Sequence, residues 1–358
     1  MIIDAHAHYT SAPPQLQAYR GRQISTYARP ARARLQISDD ELAHSLQGQF
    51  KRMDDWGIDR LMFSPQASAM GHQFGSDLHS RYWTEACNDL ISRAAKLWPD
   101  RISPVCQLPQ SPGVNPEYWL GELERCVEMG FVSCNINPDI PGSVNPFTPS
   151  MKEDWWYPLW DKMTEFDLPG TIHASSTFNP AHHVTASHYI AQHHSAGVEI
   201  LGSRVFQDFP NLKIIIPHGG GAIPYQWSRH RGSHVMLGLE PFEDAARRVY
   251  WDMAIYDQES MEMLIKRVSV DNVLFATVNL DPAVRVKSLR NCHLTILTHI
   301  NHRLLMGINA EPAQMQEIEL SIHKSTLFSS VQCRPAGTRP PCGKSTIALT
   351  AFPILCYI

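Results

Sequence analysis

Short apolar segments alternate with helical patterns along most of this 358-residue chain. The eight predicted strands cover residues 2–5, 59–64, 102–106, 131–136, 169–173, 212–216, 249–253 and 272–276. Helical patterns separate most of these strands. Residues 10–38, between the first and second strands, are predicted to form a long loop over the mouth of the barrel that these strands would build. Buried strands that alternate with helices are typical of a parallel sheet, and eight of them predict an α/β fold of the (β/α)8 TIM-barrel type.

Histidines stand at the ends of three predicted strands. His6 and His8 follow the first strand, His173 ends the fifth, and His218 follows the sixth. Residues i and i+2 of a strand point to the same side, and the sites of such barrels lie at the C-terminal ends of the strands. The pattern predicts that His6, His8 and His173 bind Zn²⁺ or another divalent ion, with a coordination position left open for water. His218 could be a further ligand, could orient water or could carry a proton. A chance His-x-His among 18 histidines is the alternative.

Composition excludes several other classes of protein. The formal charge of −4 gives no indication of nucleic-acid binding, and 43% apolar with 18% charged residues suits a globular protein. No apolar run approaches the length of a membrane span, and the candidate metal ligands begin too close to the N-terminus for a signal peptide, so a cytoplasmic protein is expected. No Cys-x-x-Cys pair occurs, and Cys87, Cys106, Cys126 and Cys134 are expected to be buried thiols.

Several polar residues are candidates for binding a negatively charged substrate. Arg229 and Arg231 follow a glycine run at 219–221 whose amides could receive an anion, although an ordinary pair of surface arginines is the alternative. Asn135 and Asn137 end the fourth strand, and Ser68 lies in the loop after the second. Four histidines in or next to the helical stretch after the fifth predicted strand are interpreted as surface or loop residues: His182, His183, His193 and His194.

The C-terminal part of the chain has a different character. Residues 277–358 hold eight basic and four acidic side chains, whereas the whole chain holds 31 and 35. Half of the eight cysteines and none of the nine tryptophans lie there. We therefore divide the chain into a catalytic barrel at 1–276 and a divergent segment at 277–358. We interpret the divergent segment as poorly packed or as sequence not evolved for this fold, with a shifted reading frame or aberrant splice as one hypothesis.

These residues resemble the amidohydrolase superfamily, in its branch of metal-dependent aminocarboxymuconate semialdehyde decarboxylases and, most narrowly, the 4-oxalomesaconate hydratases. The resemblance is carried by 4–8, His173 and 218–225, and it extends to further segments at 63–70, 108–112, 122–127, 134–139 and 227–232. It covers residues 1 to about 276. It implies a zinc-dependent hydro-lyase that adds water across a carbon–carbon double bond of a tricarboxylic acid in the breakdown of aromatic compounds.

The resemblance also implies roles for individual residues. His6, His8 and His173 would bind the metal, His218 would be the catalytic acid or base, and Arg229 would bind a substrate carboxylate in a homodimer. Two positions depart from the family: Gln66 replaces an arginine, and Val278 replaces the acid that follows strand eight. Asp281 is the nearest acid and is the candidate to replace it. A metal-dependent decarboxylase of an aromatic or muconate-type acid, or a barrel with impaired catalysis, remains the alternative.

Overall fold

The strands confirm the barrel predicted from the sequence. The computed structural model describes residues 1–278 except 27, 33–34, 141–147, 176–186 and 256. Within these residues, eight parallel strands pair in chain order. They are β1 (Ile3–Tyr9), β2 (Arg60–Pro65), β3 (Ile102–Gln107), β4 (Ser133–Ile136), β5 (Gly170–Ile172), β6 (Ile214–Ile216), β7 (Tyr250–Asp252) and β8 (Val273–Leu274). The Ala5 amide donates to the Phe275 carbonyl oxygen at 2.9 Å, which joins the end of β8 to β1 and brings the sheet round into a barrel.

The helices lie between the strands, as a (β/α)8 fold requires. They are α1 (Pro14–Ser25), α2 (Asp39–Trp56), α3 (Asp77–Leu97), α4 (Glu117–Glu128), α5 (Tyr157–Glu165), α6 (Tyr189–Leu201), α7 (Val205–Asp208), α8 (Trp227–Met236), α9 (Phe242–Ala246) and α10 (Gln258–Val268). The predicted capping box is present at α2, where the Glu41 amide donates to the Ser38 hydroxyl and the Ser38 amide donates to the Glu41 carboxylate. Among the described residues, no helix is long and apolar enough to cross a membrane.

The expected loop at 10–38 was wrong in part, because α1 occupies its first half. The buried face of α1 consists of Leu16, Tyr19, Arg20 and Gln23. This spacing is helical, but two of the four side chains are polar, so a search for apolar periodicity does not detect the helix. Arg20 donates to the carbonyl oxygens of Met70 and Gly71, which satisfies its buried guanidinium.

The barrel interior changes from apolar to polar along its axis. An inner cluster of Ile3, Ala5, Met62, Val105, Ile215 and Leu274 fills the lower part. A much larger apolar cluster packs the outer side of the strands against the helices, and it includes the free thiols predicted to be buried. Above the inner cluster, the side chains nearest the strand ends are polar, and these form the floor of the candidate site.

A bulge in β1 turns the histidines toward the interior. Asp4 pairs with Leu61 and Ala7 pairs with Phe63, so β1 has one more residue than β2 over this stretch. A one-residue insertion exchanges the two faces of a strand. His8 consequently pairs with Ser64 on the inner side, whereas a regular strand would place it on the same face as the outward-facing Asp4.

Candidate metal centre

Three histidines converge at the C-terminal mouth of the barrel. His8 Nε2 lies 3.0 Å from His6 Nε2 and 3.0 Å from His173 Nε2. All three rings are buried, with side chains from β1 and from the end of β5 meeting as the sequence predicted. Among the described residues, this is the group of three or more potential ligands whose atoms lie close enough to hold one metal ion.

The other ring nitrogen of each histidine is already engaged. His6 Nδ1 lies 2.7 Å from Asp252 Oδ2, and His173 Nδ1 lies 2.8 Å from the Ala174 carbonyl oxygen. His8 Nδ1 lies 2.7 Å from Ser64 Oγ, whose own proton is directed to the Pro65 carbonyl oxygen at 3.0 Å. Carboxylate and carbonyl oxygens only accept hydrogen bonds, and the Ser64 hydroxyl, whose proton is used elsewhere, must accept from His8. Nδ1 therefore carries the proton in these rings and Nε2 carries the lone pair.

The electrostatics of the cluster fit a cation. Burial lowers the pKa of His8 and of His173 well below the ordinary value, and the neighbouring imidazoles lower both further. The His8 and His173 rings are therefore neutral near pH 7, and the Nδ1 contacts of all three histidines leave their Nε2 lone pairs facing one another. A divalent ion satisfies such a set of nitrogens, and the Nδ1 partners fix the ring orientations that bind it.

Asp252, at the end of β7, connects the three-histidine cluster to His218. Its Oδ2 accepts from His6, while its Oδ1 accepts from the His218 amide at 2.7 Å and from the Ala254 amide at 3.0 Å. Burial opposes the charge on Asp252, but the adjacent His6 and the hydrogen bonds together hold the pKa of the carboxyl below its ordinary value. Asp252 is therefore a buried carboxylate with one oxygen facing His6 and the other facing two backbone amides.

His218 lies beside the three histidines in an uncommon backbone conformation. Its ring centroid is 5.2 Å from that of His6 and 6.4 Å from that of His173. Its φ of +52° lies in the left-handed region, where strained residues often serve function. The Ala254 carbonyl oxygen accepts from Nδ1 at 3.2 Å, which leaves Nε2 with a lone pair.

The glycines after His218 allow close packing, and two of the three amides predicted to receive an anion are paired within the loop. A Cβ on Gly220 would lie 2.4 Å from the Trp251 ring, and a Cβ on Gly219 would lie 2.4 Å from the Ile255 side chain. The Gly220 and Gly221 amides donate to the carbonyl oxygens of Pro217 and His218, so they are already paired within the loop. The run of glycines allows this loop to pack tightly against β7 and the residues after it.

The end of β8 is attached to β1 beside His6. Asp4 Oδ1 accepts from the amides of His6 and Thr277 at 3.0 and 3.1 Å, and Oδ2 accepts from the Thr277 hydroxyl. The Val278 amide donates to the His6 carbonyl oxygen at 3.0 Å, so position 278 lies next to a candidate metal ligand. Burial raises the pKa of Asp4 to about 6 despite these donors. Asp281 lies outside the described residues.

Two predicted asparagines offer unpaired donors on the floor of the site. Asn135 and Asn137 are buried, and the Nδ2 group of each has no hydrogen-bond partner among the described residues. Asn137 Oδ1 accepts from the Asp139 amide at 3.3 Å, which directs Nδ2 elsewhere. Such groups are costly to bury unless a ligand or water pairs with them.

Ser68 and the two arginines have different surroundings. Ser68 lies near the hydroxyl of Tyr189, whose ring packs edge-on against His173 at 5.8 Å, and burial raises the pKa of that tyrosine. Arg231 is exposed and pairs with Glu243. Arg229 is exposed as well, and within the described part of the chain neither arginine forms an ion pair or hydrogen bond with the histidine cluster.

Sequence reasoning missed Asp252 and misplaced His193. The expectation that His193 lies on the surface was wrong, because its side chain is fully buried and stacks on His218 with ring centroids 5.1 Å apart. Its Nε2 accepts from the Ala174 amide at 3.0 Å. The position of Asp252 at the end of a predicted strand was a usable signal, whereas nothing in the sequence marked His193. His182 and His183 lie outside the described residues.

Comparison with known proteins identifies the family. The model of the family described as amidohydrolase matches residues 3–277. The chain therefore belongs to the amidohydrolase family. Among curated relatives, this amidohydrolase is 40% identical over 283 residues to 2-keto-4-carboxy-3-hexenedioate hydratase of Sphingobium sp., covering 77% of this chain and 82% of that protein.

Solved structures give the same grouping. The chain superposes on 4-oxalomesaconate hydratase from Rhodopseudomonas palustris with a TM-score of 0.74 and 34% identity, covering 92% of this chain and all of that one. In sequence, the chain is also 25% identical over 246 residues to the curated gamma-resorcylate decarboxylase of Polaromonas sp., covering 63% of this chain and 74% of that protein. A dihydroxybenzoic acid decarboxylase from Polaromonas sp. with bound manganese shares the fold at a TM-score of 0.66 and 19% identity.

Proposed function

We propose that this amidohydrolase is a metal-dependent hydratase that adds water to the carbon–carbon double bond of 4-oxalomesaconate, in the breakdown of aromatic compounds. The observation that carries the proposal is the convergence of three Nε2 lone pairs beside His218, in a chain 40% identical to a hydratase. A tricarboxylate substrate also suits a site floor with buried amide donors.

The histidine cluster would hold the metal through His6, His8 and His173, and we propose Zn²⁺ as its identity. Three neutral nitrogen ligands suit Zn²⁺, although the manganese bound in one relative makes Mn²⁺ the natural comparison. When bound, such an ion supplies Lewis-acid polarisation of an oxygen ligand and favours its deprotonation.

His218 is the proposed proton carrier of the reaction. Hydration of a double bond requires a base that removes a proton from water and an acid that delivers a proton to the adjacent carbon. Nδ1 of His218 is held by the Ala254 carbonyl oxygen, so Nε2 is the atom that would accept or deliver the proton. Burial lowers the pKa of His218, which keeps the ring neutral and able to act first as a base.

The substrate carboxylates require donors, which we assign to both the floor and the rim. Asn135 and Asn137 would donate from Nδ2, and Ser68 would contribute a hydroxyl near Tyr189. Arg229 and Arg231 would contribute positive charge, and the exposure of Arg229 suits the proposal that it reaches the site of a second copy in a homodimer.

The missing acid at position 278 bears directly on activity. Val278 is half-buried beside His6, where a carboxylate could reach the water molecule that is added to the substrate. A valine side chain cannot move a proton. We propose that Asp281 supplies this group. The sequence therefore raises a specific alternative, a barrel that binds metal and tricarboxylates but turns over slowly.

Incubation of the zinc-loaded protein with 4-oxalomesaconate tests the proposal, with substrate loss and hydrated product followed together. We expect one molecule of hydrated product for each molecule of substrate lost and no CO₂. Release of CO₂ from an aromatic or muconate-type acid would instead support the decarboxylase alternative. An Asp281→Asn variant would lose turnover if Asp281 replaces the acid, and unchanged turnover would refute that role.

A further inference from the structure

The Asp252 side chain contacts both His6, a candidate metal ligand, and the loop that carries His218. It is fully buried at the end of β7, between the barrel interior and residues 218–221. Its two oxygens divide their contacts, since Oδ2 faces His6 Nδ1 at 2.7 Å and Oδ1 faces the backbone. Because the carboxylate is rigid, movement of one contact displaces the other.

The backbone contacts of Oδ1 determine where His218 lies. The amides of His218 and Ala254 donate to this oxygen at 2.7 and 3.0 Å, and the Ala254 carbonyl oxygen in turn accepts from the His218 ring. Asp252 thus anchors His218 at its backbone directly and at its ring through residue 254. The left-handed φ of +52° at His218 indicates a conformation that needs such external support.

The contact of Oδ2 determines which nitrogen of His6 is available. The carboxylate accepts a hydrogen bond from the Nδ1–H group, which keeps the proton on Nδ1 and leaves Nε2 with the lone pair that faces His8. A partner that donates instead of accepting would favour the other tautomer, with a proton on Nε2 pointing into the cluster.

We propose that Asp252 is a positioning residue that couples metal binding at His6 to the placement of His218. A bound cation draws His6 into a fixed orientation, the orientation fixes Asp252, and Asp252 fixes the His218 amide. The proposal deepens the proposed hydratase function, because the metal centre and the proton carrier would then be ordered together. It can be tested without any turnover, so failure of the hydratase assay would not affect its outcome.

The first test uses the unaltered protein. Amide hydrogen exchange at His218 is measured in metal-free protein and again with saturating Zn²⁺. We expect Zn²⁺ to slow the exchange of residues 218–221 while distant amides on α4 remain unchanged, since α4 lies between β3 and β4, away from His6. Equal exchange at residues 218–221 in the two states would overturn the proposal.

The second test substitutes Asp252→Asn, which keeps the size of the side chain. An amide cannot accept from the His6 ring and from both backbone amides at once, because one of its two ends is a donor. We expect Zn²⁺ affinity to fall by about 10–100-fold, and the effect of Zn²⁺ on His218 exchange to disappear. Zn²⁺ affinity is measured by competition with a chelating dye.

Asp257→Asn is the matched control. Asp257 is also an aspartate that accepts from backbone, at the Ser260 amide, but it caps α10 on the surface. It should change neither Zn²⁺ affinity nor the exchange response of His218. Wild-type affinity in Asp252→Asn would overturn the proposal, and so would an equal loss in Asp257→Asn.

Discussion

Substitution of Gly220 tests how closely the His218 loop must pack against the barrel. Gly220 has a φ of +72°, and an added Cβ would lie 2.4 Å from Trp251 Cζ3 and 3.2 Å from Ile223 Cδ1. An alanine in the left-handed region costs about 1–2 kcal/mol. Trp251 and Ile223 are fully buried, and forcing a methyl group into such packing costs about 1–3 kcal/mol more. We therefore expect Gly220→Ala to lower the free energy of unfolding by about 2–5 kcal/mol.

Gly238→Ala separates the two contributions. Gly238 has a similar φ of +66°, but no atom lies within 4 Å of the position of its Cβ, and it is exposed after α8. Only the backbone cost of about 1–2 kcal/mol is expected there. Urea unfolding of both variants, saturated with the same metal, gives the difference. If Gly220→Ala proves no less stable than Gly238→Ala, the packing account of the glycine loop is refuted.

Three further predictions follow from the metal centre and the buried polar groups. Chelation of the metal should lower the melting temperature by about 4–5 °C relative to protein in zinc at 100 times its dissociation constant. Calorimetry of His8→Asn should show no zinc-dependent shift, and an equal shift in that variant would contradict the assigned ligand. Asn135→Ala should raise KM for the tricarboxylate by about tenfold through loss of a donor to a carboxylate, whereas an unchanged KM would exclude Asn135 from binding. Burial, aided by the charge of Arg20, lowers the pKa of His72 to about 3, so the unfolded chain binds a proton at a higher pH than the folded chain and stability declines as pH falls below about 6.5. Between pH 7.5 and pH 5, urea unfolding should show that the wild type loses about 2 kcal/mol more of its free energy of unfolding than His72→Asn does. Equal losses in the two proteins would contradict this prediction.

The fold was predictable because its evidence repeats along the chain. Each strand of a barrel is buried on both faces, so eight separate apolar runs indicated the same architecture. The histidine cluster was predictable for a related reason, since sites lie at strand ends, where His6 and His8 follow one predicted strand and His173 ends another. Even the short strand β8 lies within its predicted range of 272–276, although the structure limits it to Val273–Leu274.

The contacts behind the cluster were not predictable, because they depend on register and on polar packing. The bulge that turns His8 inward is a difference of one residue between β1 and β2, and the composition of neither strand records it. Helix α1 was missed because Arg20 and Gln23 fill buried positions that apolar residues usually occupy. His193 was misplaced because a histidine in a helix gives no sign of which elements cover it.

Turnover of 4-oxalomesaconate by the zinc-loaded chain is the most direct test of the central claim. The proposed function predicts formation of the hydrated tricarboxylate without CO₂, dependent on bound metal and on His218. Absence of hydration with either Zn²⁺ or Mn²⁺, in protein shown to hold one metal ion per chain, would contradict it. Recovery of turnover in Val278→Glu would then identify a hydratase barrel disabled at one position, and its absence would leave a metal-binding barrel without this activity.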